Sequence, residues 1–124
     1  MPEYSFKKQE RLNSRKVISR MFEEGKSIHF FPLRILYLKK PQNDVPATMA
    51  VVIPKRLIKK AVHRNLLKRR IRESYRLYKP EFRGLLEKSS KQYYLIIIYQ
   101  SEKIENSDVI DVQLKKALNK LSEK

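Results

Sequence analysis

Cationic side chains recur at one-turn spacing in the middle of the chain, and this pattern suits phosphate binding. Residues 61–79 predict a helix with an apolar stripe for the core and a basic side beside it. Like charges four residues apart repel by roughly 0.2–0.5 kcal/mol per pair, so a run of them favours a polyanionic ligand over an ordinary solvated helix face. The four residues of this run, the basic ridge, are Arg64, Lys68, Arg72 and Arg76.

The charge of the chain is concentrated around this ridge. The 124 residues carry a net charge of +16, and residues 55–79 hold 11 bases against one acid. Asn65 adds a neutral hydrogen-bonding group among the cations. A focused positive field attracts polyanions such as nucleic acid. An anionic membrane surface is the weaker alternative, because no large apolar face accompanies the ridge.

The residues give little support for catalysis by the chain alone. There is no cysteine, and His29 and His63 are far apart in the sequence. Asp44 lies in a turn pattern, while Asp108 and Asp111 suit the start of a helix. No phosphate-binding glycine loop or metal-binding motif is present in the sequence. We therefore predict no catalytic residue and no metal ligand, and a self-sufficient nuclease remains a minor alternative.

The elements around the ridge are predicted in the order α-β-β-(β)-α-β-α, with an optional short extra strand. This order predicts an α/β (α+β) sandwich, with helices on a small mixed four-stranded sheet. The strand at 48–53 is predicted from its apolar run and from the turn residues before it. In the simplest arrangement it forms a hairpin with the strand at 33–39. The predicted bounds are a helix at 14–24, strands at 33–39 and 48–53, the basic helix at 61–79, a central strand at 93–99 and a last helix capped by Ser107.

Domain limits follow from length and local composition. We expect one domain over residues 1–124, with residues 1–11 as a flexible basic arm. Lys79 and Pro80 are expected to end the basic helix, and residues 81–92 give at most a short helical turn. The start of the chain has no signal-peptide core and the longest apolar run is short, so a cytoplasmic protein is expected.

Residues 63–73, HRNLLKRRIRE, resemble the signature RN-x-x-KR-x-x-R of the bacterial ribonuclease P protein subunit. Residues 51–56, VVIPKR, resemble the family's strand that ends in a basic pair, and the element order agrees over about residues 11–121. The chain departs from the family at Leu66, where arginine is frequent, and at Ile18, where an aromatic is usual. The matching signature residues are Arg64, Asn65, Lys68, Arg69 and Arg72.

The resemblance implies a protein that assists a catalytic RNA. The partners would be the ribonuclease P RNA, with one protein per RNA, and the 5′ leader of precursor tRNA. The RNA would cleave the precursor with Mg²⁺, leaving a 5′ phosphate, and the protein itself would bind no cofactor. A left-handed βαβ crossover is also implied. The main alternative is a general structured-RNA-binding or ribosomal protein without processing activity, which would not depend on one RNA partner.

Two sets of binding residues follow from the resemblance. Ile18, Phe22 and Tyr37 are expected in a cleft between the first helix and the sheet, where the single-stranded leader would bind. The other set is expected to contact RNA phosphates and consists of Lys55, Arg56, Arg64, Asn65, Lys68, Arg69, Arg72 and Arg76.

Overall fold

Three helices and a four-stranded mixed sheet make up the fold, which confirms the predicted α+β sandwich. The structure is a computed structural model and describes residues 10–43 and 45–124. The extra strand that the prediction left optional is present, but as β1 it comes before the two predicted strands and not after them. The elements are α1 (Arg15–Glu24), β1 (Lys26–Phe30), β2 (Leu33–Lys39), β3 (Ala47–Val52), α2 (Ala61–Ser89), β4 (Tyr93–Tyr99) and α3 (Ser107–Ser122).

The sheet has the strand order β1-β2-β4-β3. β4 is apolar on both faces, and as expected it is a central strand. It pairs antiparallel with β2 and parallel with β3, so β3, α2 and β4 form the predicted βαβ unit. The predicted hairpin between β2 and β3 is wrong, because β4 lies between them. β2 forms its hairpin with β1 instead, through a turn at Phe31 and Pro32.

The two faces of the sheet bury different helices. One face packs against α2 and α3 in the larger apolar cluster, which includes Ile35, Leu95, Ile71 and Leu114. The other face packs against α1 in a smaller cluster around Met21. Neighbouring residues of a strand point to opposite faces, and this alternation decides which strand residues can belong to a cleft beside α1.

α2 is ten residues longer than predicted. Its core stripe includes Leu67, Ile71 and Tyr78, which confirms the predicted facing of the helix. The predicted end at Lys79 is wrong, since the helix runs through Pro80 to Ser89. Tertiary packing overrides the local proline signal here, because residues on both sides of Pro80 are buried against the sheet.

The ends of the two shorter helices show how local sequence fixes them. Ser14 caps α1 as expected, whereas α3 is capped by Asn106 rather than by Ser107. Gly25 ends α1 with extended backbone geometry. A side chain there would place its Cβ 2.4 Å from the Met21 carbonyl oxygen, so close approach of the backbone requires glycine at this position.

The N-terminal segment packs on the domain at its described end. Residues 1–9 of the expected arm lie outside the described residues. Glu10 is buried and its carboxylate lies 3.1 Å from the Lys79 ammonium, while Arg11 pairs with Met49 on the outer edge of β3. Residues 10 and 11 therefore belong to the folded domain rather than to an arm.

Candidate nucleic-acid interface

Positive charge gathers at the start of α2. Lys60 occupies the N-cap without a side-chain cap, and the first turn has no acidic residue. A helix N-terminus carries partial positive charge and unpaired backbone N–H groups, which suit anions. The preceding turn adds exposed cations at Lys55, Arg56 and Lys59. The charged side chains and the helix dipole are therefore both positive at the N-terminus of α2.

The turn before α2 is held in place by buried aliphatic side chains and by backbone hydrogen bonds. Ile53 and Ile58 are buried on either side of it. The Pro54 carbonyl accepts from the backbone N–H groups of Leu57 and Ile58, both at 3.1 Å. The exposed Lys55 and Arg56 project from this fixed turn, as expected for residues that follow directly after a strand.

The signature residues on α2 do not have equivalent environments. Asn65, Arg69 and Arg72 are exposed, and Lys68 is half-buried. None of these four makes an ion pair with any residue of the described chain. The charges of Lys68, Arg69 and Arg72 are therefore available to an external polyanion, as the spacing predicts, and the neutral Asn65 lies among them.

Arg64 differs from the other ridge residues because its guanidinium group is already engaged. Its Nη1 donates to the carbonyl oxygens of Ile58 at 3.0 Å and Lys59 at 2.7 Å. These contacts tie the turn to the first turn of α2. Arg64 therefore stabilises the turn before α2, and its guanidinium group has further N–H groups beyond those two bonds.

Arg76 is the ridge residue with the most compensated charge. It forms an ion pair with Glu73, one turn earlier on the helix. The hydrogen bond from Arg76 holds the pKa of Glu73 below its ordinary value, so this carboxylate stays charged at neutral pH. The ridge residues whose charged groups have no partner among the described residues are thus the two in its middle, Lys68 and Arg72.

A groove joins the basic ridge to the N-terminal segment. It has a volume of about 390 Å³ and lies along the outer edge of β3. Arg72 lines it from α2, while Arg11 and Asn13 line it from the segment that leads into α1. The sequence did not indicate Arg11, because only the bridge to Met49 brings the segment beside the ridge.

The structure brings together two of the three predicted cleft residues. Ile18 packs in the smaller cluster beside α1, and Phe22 on the same helix is 56% exposed. An exposed phenylalanine at this place offers a stacking surface to an unpaired base. Its ring does not fill the core, which was the alternative for this residue.

Tyr37 does not belong to this cleft. It points to the α2 and α3 face and is 9% exposed, with its ring edge-on to that of Tyr93. Leu36 is the buried β2 residue on the α1 side, and the half-buried Tyr94 is the aromatic there. Alternation along residues 93–99 predicts that Tyr93 and Tyr94 point to opposite faces of the sheet. The sequence alone does not say which of these faces α1 covers.

Leu66 lies away from the ridge, on the flank of α2 beside α3. It lines a groove of about 430 Å³ between α2 and the start of α3, together with Leu77 and Asp111. Arg70 crosses the upper part of this flank and donates to the Glu105 carbonyl at 2.8 Å. The departure at Leu66 therefore removes one charge from the side of the helix that faces α3.

Within the described ranges, no three His, Asp or Glu side chains form a group that could hold a metal ion. His29 is exposed on β1 and His63 is half-buried on α2. None of the described helices is long and apolar enough to cross a membrane.

Comparisons with known proteins agree with this arrangement. The family model described as Ribonuclease P matches residues 6–124. The chain is 31% identical over 124 residues to the ribonuclease P protein component of Porphyromonas gingivalis, covering 98% of this chain and 89% of the relative. It is 33% identical over 121 residues to that of Dictyoglomus turgidum, covering 98% of this chain and 92% of the relative.

Solved structures show the same fold. The RNase P protein of Staphylococcus aureus superposes with a TM-score of 0.73 at 21% identity, covering 90% of this chain and 94% of that one. The RNase P protein of Thermotoga maritima gives 0.72 at 24% identity, covering 90% and 96%. With a family model that spans nearly the whole sequence, the chain belongs to the ribonuclease P protein family, the RNA-binding protein components of an endoribonuclease.

Proposed function

We propose that this chain binds the ribonuclease P RNA through the N-terminal half of α2 and the 5′ leader of precursor tRNA beside α1. The observation that carries the proposal is the groove lined by Arg11, Asn13 and Arg72. Because Asn13 immediately precedes the N-cap of α1, the groove leads from the basic helix to the start of α1, the helix that carries Phe22. In the proposed complex the RNA meets cations along the groove and exposed Phe22 further along α1.

The chemical step is assigned to the RNA partner. The described residues offer cations and an aromatic surface, which bind phosphates and stack on bases. In the proposed complex, one protein binds one RNA, Mg²⁺ is held by the RNA, and cleavage leaves a 5′ phosphate on the tRNA. The protein raises the affinity of the complex for substrates that carry a leader.

The leader contact is tested by binding measurements with the reconstituted complex of protein and cognate RNA. Phe22→Ala is expected to weaken binding of precursor tRNA by roughly 1–3 kcal/mol, the range for one stacking contact, with little effect on mature tRNA. Phe31→Ala is the matched control, since Phe31 is 64% exposed and its carbonyl is held by Gln113 of α3, which packs on the opposite face of the sheet. Equal effects of the two variants would contradict the proposed leader site.

A further inference from the structure

A second cationic groove lies at the other end of α2. It has a volume of about 660 Å³ and is formed where α1 ends, β1 and β4 begin, and β2 and α2 end. We call it the end groove. Ser89 lines it and stands 13 residues after Arg76, the last residue of the basic ridge, which is about 20 Å along a helix axis. The end groove is thus a separate surface from the basic ridge.

Strand register brings two lysines and two tyrosines into the end groove. Lys26 on β1 is paired with Tyr37 on β2, and Lys39 on β2 is paired with Tyr93 on β4. Residues directly opposite in an antiparallel pair project to the same face, and so do residues two apart in one strand. Lys26 and Lys39 are therefore diagonal neighbours around the tyrosine pair.

The lysines of the end groove have no ion-pair partner among residues 10–43 and 45–124. Lys91 and Lys124 also line it, and Glu24 is the acid beside them. Glu24 is engaged with Arg20 at 2.8 Å, and none of the four lysines has an ion-pair partner among the described residues. Lysines near helix C-termini often complement the helix dipole. That explanation does not cover Lys26 and Lys39, which belong to strands.

Hydrogen bonds hold the loops beside the end groove, and one of them reaches its lining residue Ser90. Gln42 donates to the Ser90 carbonyl at 3.1 Å, and the side chain of Gln92 makes two bonds to the backbone of Asn43, at 2.7 and 2.9 Å. The Tyr37 and Tyr93 rings meet edge-on with centroids 5.6 Å apart. The groove is thus formed before any ligand binds, as is usual for binding sites.

We propose that the end groove binds backbone phosphates of the ribonuclease P RNA, as a second contact beyond the proposed function of the α2 and α1 surfaces. The groove contains lysines and no arginine, and an ammonium acts as a point charge rather than a planar fork. Such contacts recognise phosphates without reading sequence. A tyrosine hydroxyl is protonated at neutral pH, so the hydroxyl of Tyr93 can donate a hydrogen bond to a phosphate oxygen.

The test compares two triple variants with equal change in charge. Lys26→Ala/Lys39→Ala/Lys91→Ala removes cations from the end groove, and Lys103→Ala/Lys115→Ala/Lys116→Ala removes exposed lysines elsewhere. The salt dependence of affinity for the RNA is measured for both and for Lys68→Ala/Arg72→Ala. Each lost phosphate contact lowers the magnitude of the slope of log K against log salt by roughly 0.7–0.9. The end-groove variant is expected to lower this magnitude by about two, and the control variant by less than about one.

A cross-linking arm gives an independent readout. Because the chain has no cysteine, Ser89→Cys places one photoreactive thiol adduct at the end groove. It is expected to cross-link to the RNA, whereas Glu102→Cys in an exposed loop is not. Equal salt slopes for the two triple variants, together with no cross-link from Ser89→Cys, would overturn the proposal. A normal loss for Lys68→Ala/Arg72→Ala in the same series would leave the proposed function intact.

Free phosphate is the other source of the same chemistry. Inorganic phosphate is titrated into the protein alone and followed by amide chemical shifts around the end groove. Shifts that the end-groove variant abolishes, with RNA slopes equal to those of the control, would mean that the groove takes free anions and would overturn its assignment to RNA.

Discussion

At the scale of single residues, two arginines of the signature, Arg64 and Arg72, have different roles. Arg72 is exposed, unpaired and lines the groove beside the N-terminal segment. Arg64 donates to two backbone carbonyls of the turn that precedes α2. Sequence spacing puts both on one side of the helix, but it cannot show that the first of them is bonded to the turn. One position therefore supports both fold and binding, while the other supports binding alone.

Replacing each arginine by alanine separates these roles. Arg64→Ala is expected to lower the free energy of unfolding by about 1.5–3 kcal/mol, the range for hydrogen bonds from a charged group. Arg72→Ala is expected to leave stability within about 0.5 kcal/mol and to lower the salt slope of RNA affinity by about one. Urea unfolding and RNA titrations measure the two quantities. Equal stability of both variants would contradict the role of Arg64 in the turn.

At the scale of elements, a buried ion pair holds the N-terminal segment against α2. The Lys79 ammonium lies 3.1 Å from the Glu10 carboxylate, with the two side chains 7% and 9% exposed. The same segment hydrogen-bonds to the edge of β3, where the Leu12 N–H donates to the Met49 carbonyl at 3.0 Å. This attachment places Arg11 and Asn13 beside the basic ridge.

Breaking the pair is expected to loosen the segment and to destabilise the domain. Glu10→Ala leaves the Lys79 ammonium buried without its carboxylate partner, which typically costs about 3–5 kcal/mol. Glu10→Ala/Lys79→Met removes both charges and is expected to be markedly more stable than the single variant. Thermal unfolding of the two variants checks this order, and the reverse order would contradict a coupled buried pair.

The element order could be predicted from the sequence, but two of its details could not. The apolar run of β4 identified the central strand, and the capping pattern located α1. Pairing of β2 with β4 depends on contacts between strands more than fifty residues apart, which local patterns do not encode. α2 continues through Pro80 because Phe82 and Leu86 are buried beyond it, and no local rule weighs that packing against the proline.

At the scale of the whole molecule, the charge of +16 is distributed over more than one surface. The sequence located the basic ridge, since its residues are close in the chain. It did not locate the end groove, whose lysines come from two strands, from the loop before β4 and from the residues after α3, and meet only in the folded domain. Tyr37 was misplaced for a related reason, since alternation assigns it to a face without saying which helix covers that face.

The buried tyrosines make the free energy of unfolding depend on pH in the alkaline range. Burial raises the pKa of Tyr75, and the nearby Glu10 carboxylate adds to this; burial also raises the pKa values of Tyr78, Tyr93 and Tyr99. The folded state then keeps phenol protons that the unfolded state loses above its ordinary value of about 10. The stabilising contribution is complete below about pH 10 and is lost as pH rises further.

Tyr75→Phe is expected to make this loss less steep. One such tyrosine contributes up to about 1.4 kcal/mol per pH unit above about pH 10. Urea unfolding between pH 8 and 11 compares the variant with the parent chain. Lysines also titrate in this range, but both proteins have the same lysines, so their effect on stability cancels in the comparison. If the two curves differ by the same amount at every pH, the variant has lost only the hydroxyl contacts. That result would contradict a titration linked to Tyr75.

Cleavage of a 5′-end-labelled precursor tRNA at low Mg²⁺ tests the central claim most directly. The protein is assayed alone, with the ribonuclease P RNA of its own organism, and with an unrelated structured RNA. We expect cleavage at the mature 5′ end only with the cognate RNA, and a reduced rate for Lys68→Ala/Arg72→Ala. Cleavage by the protein alone, or no stimulation of the cognate RNA, would contradict the account of a subunit that assists a catalytic RNA.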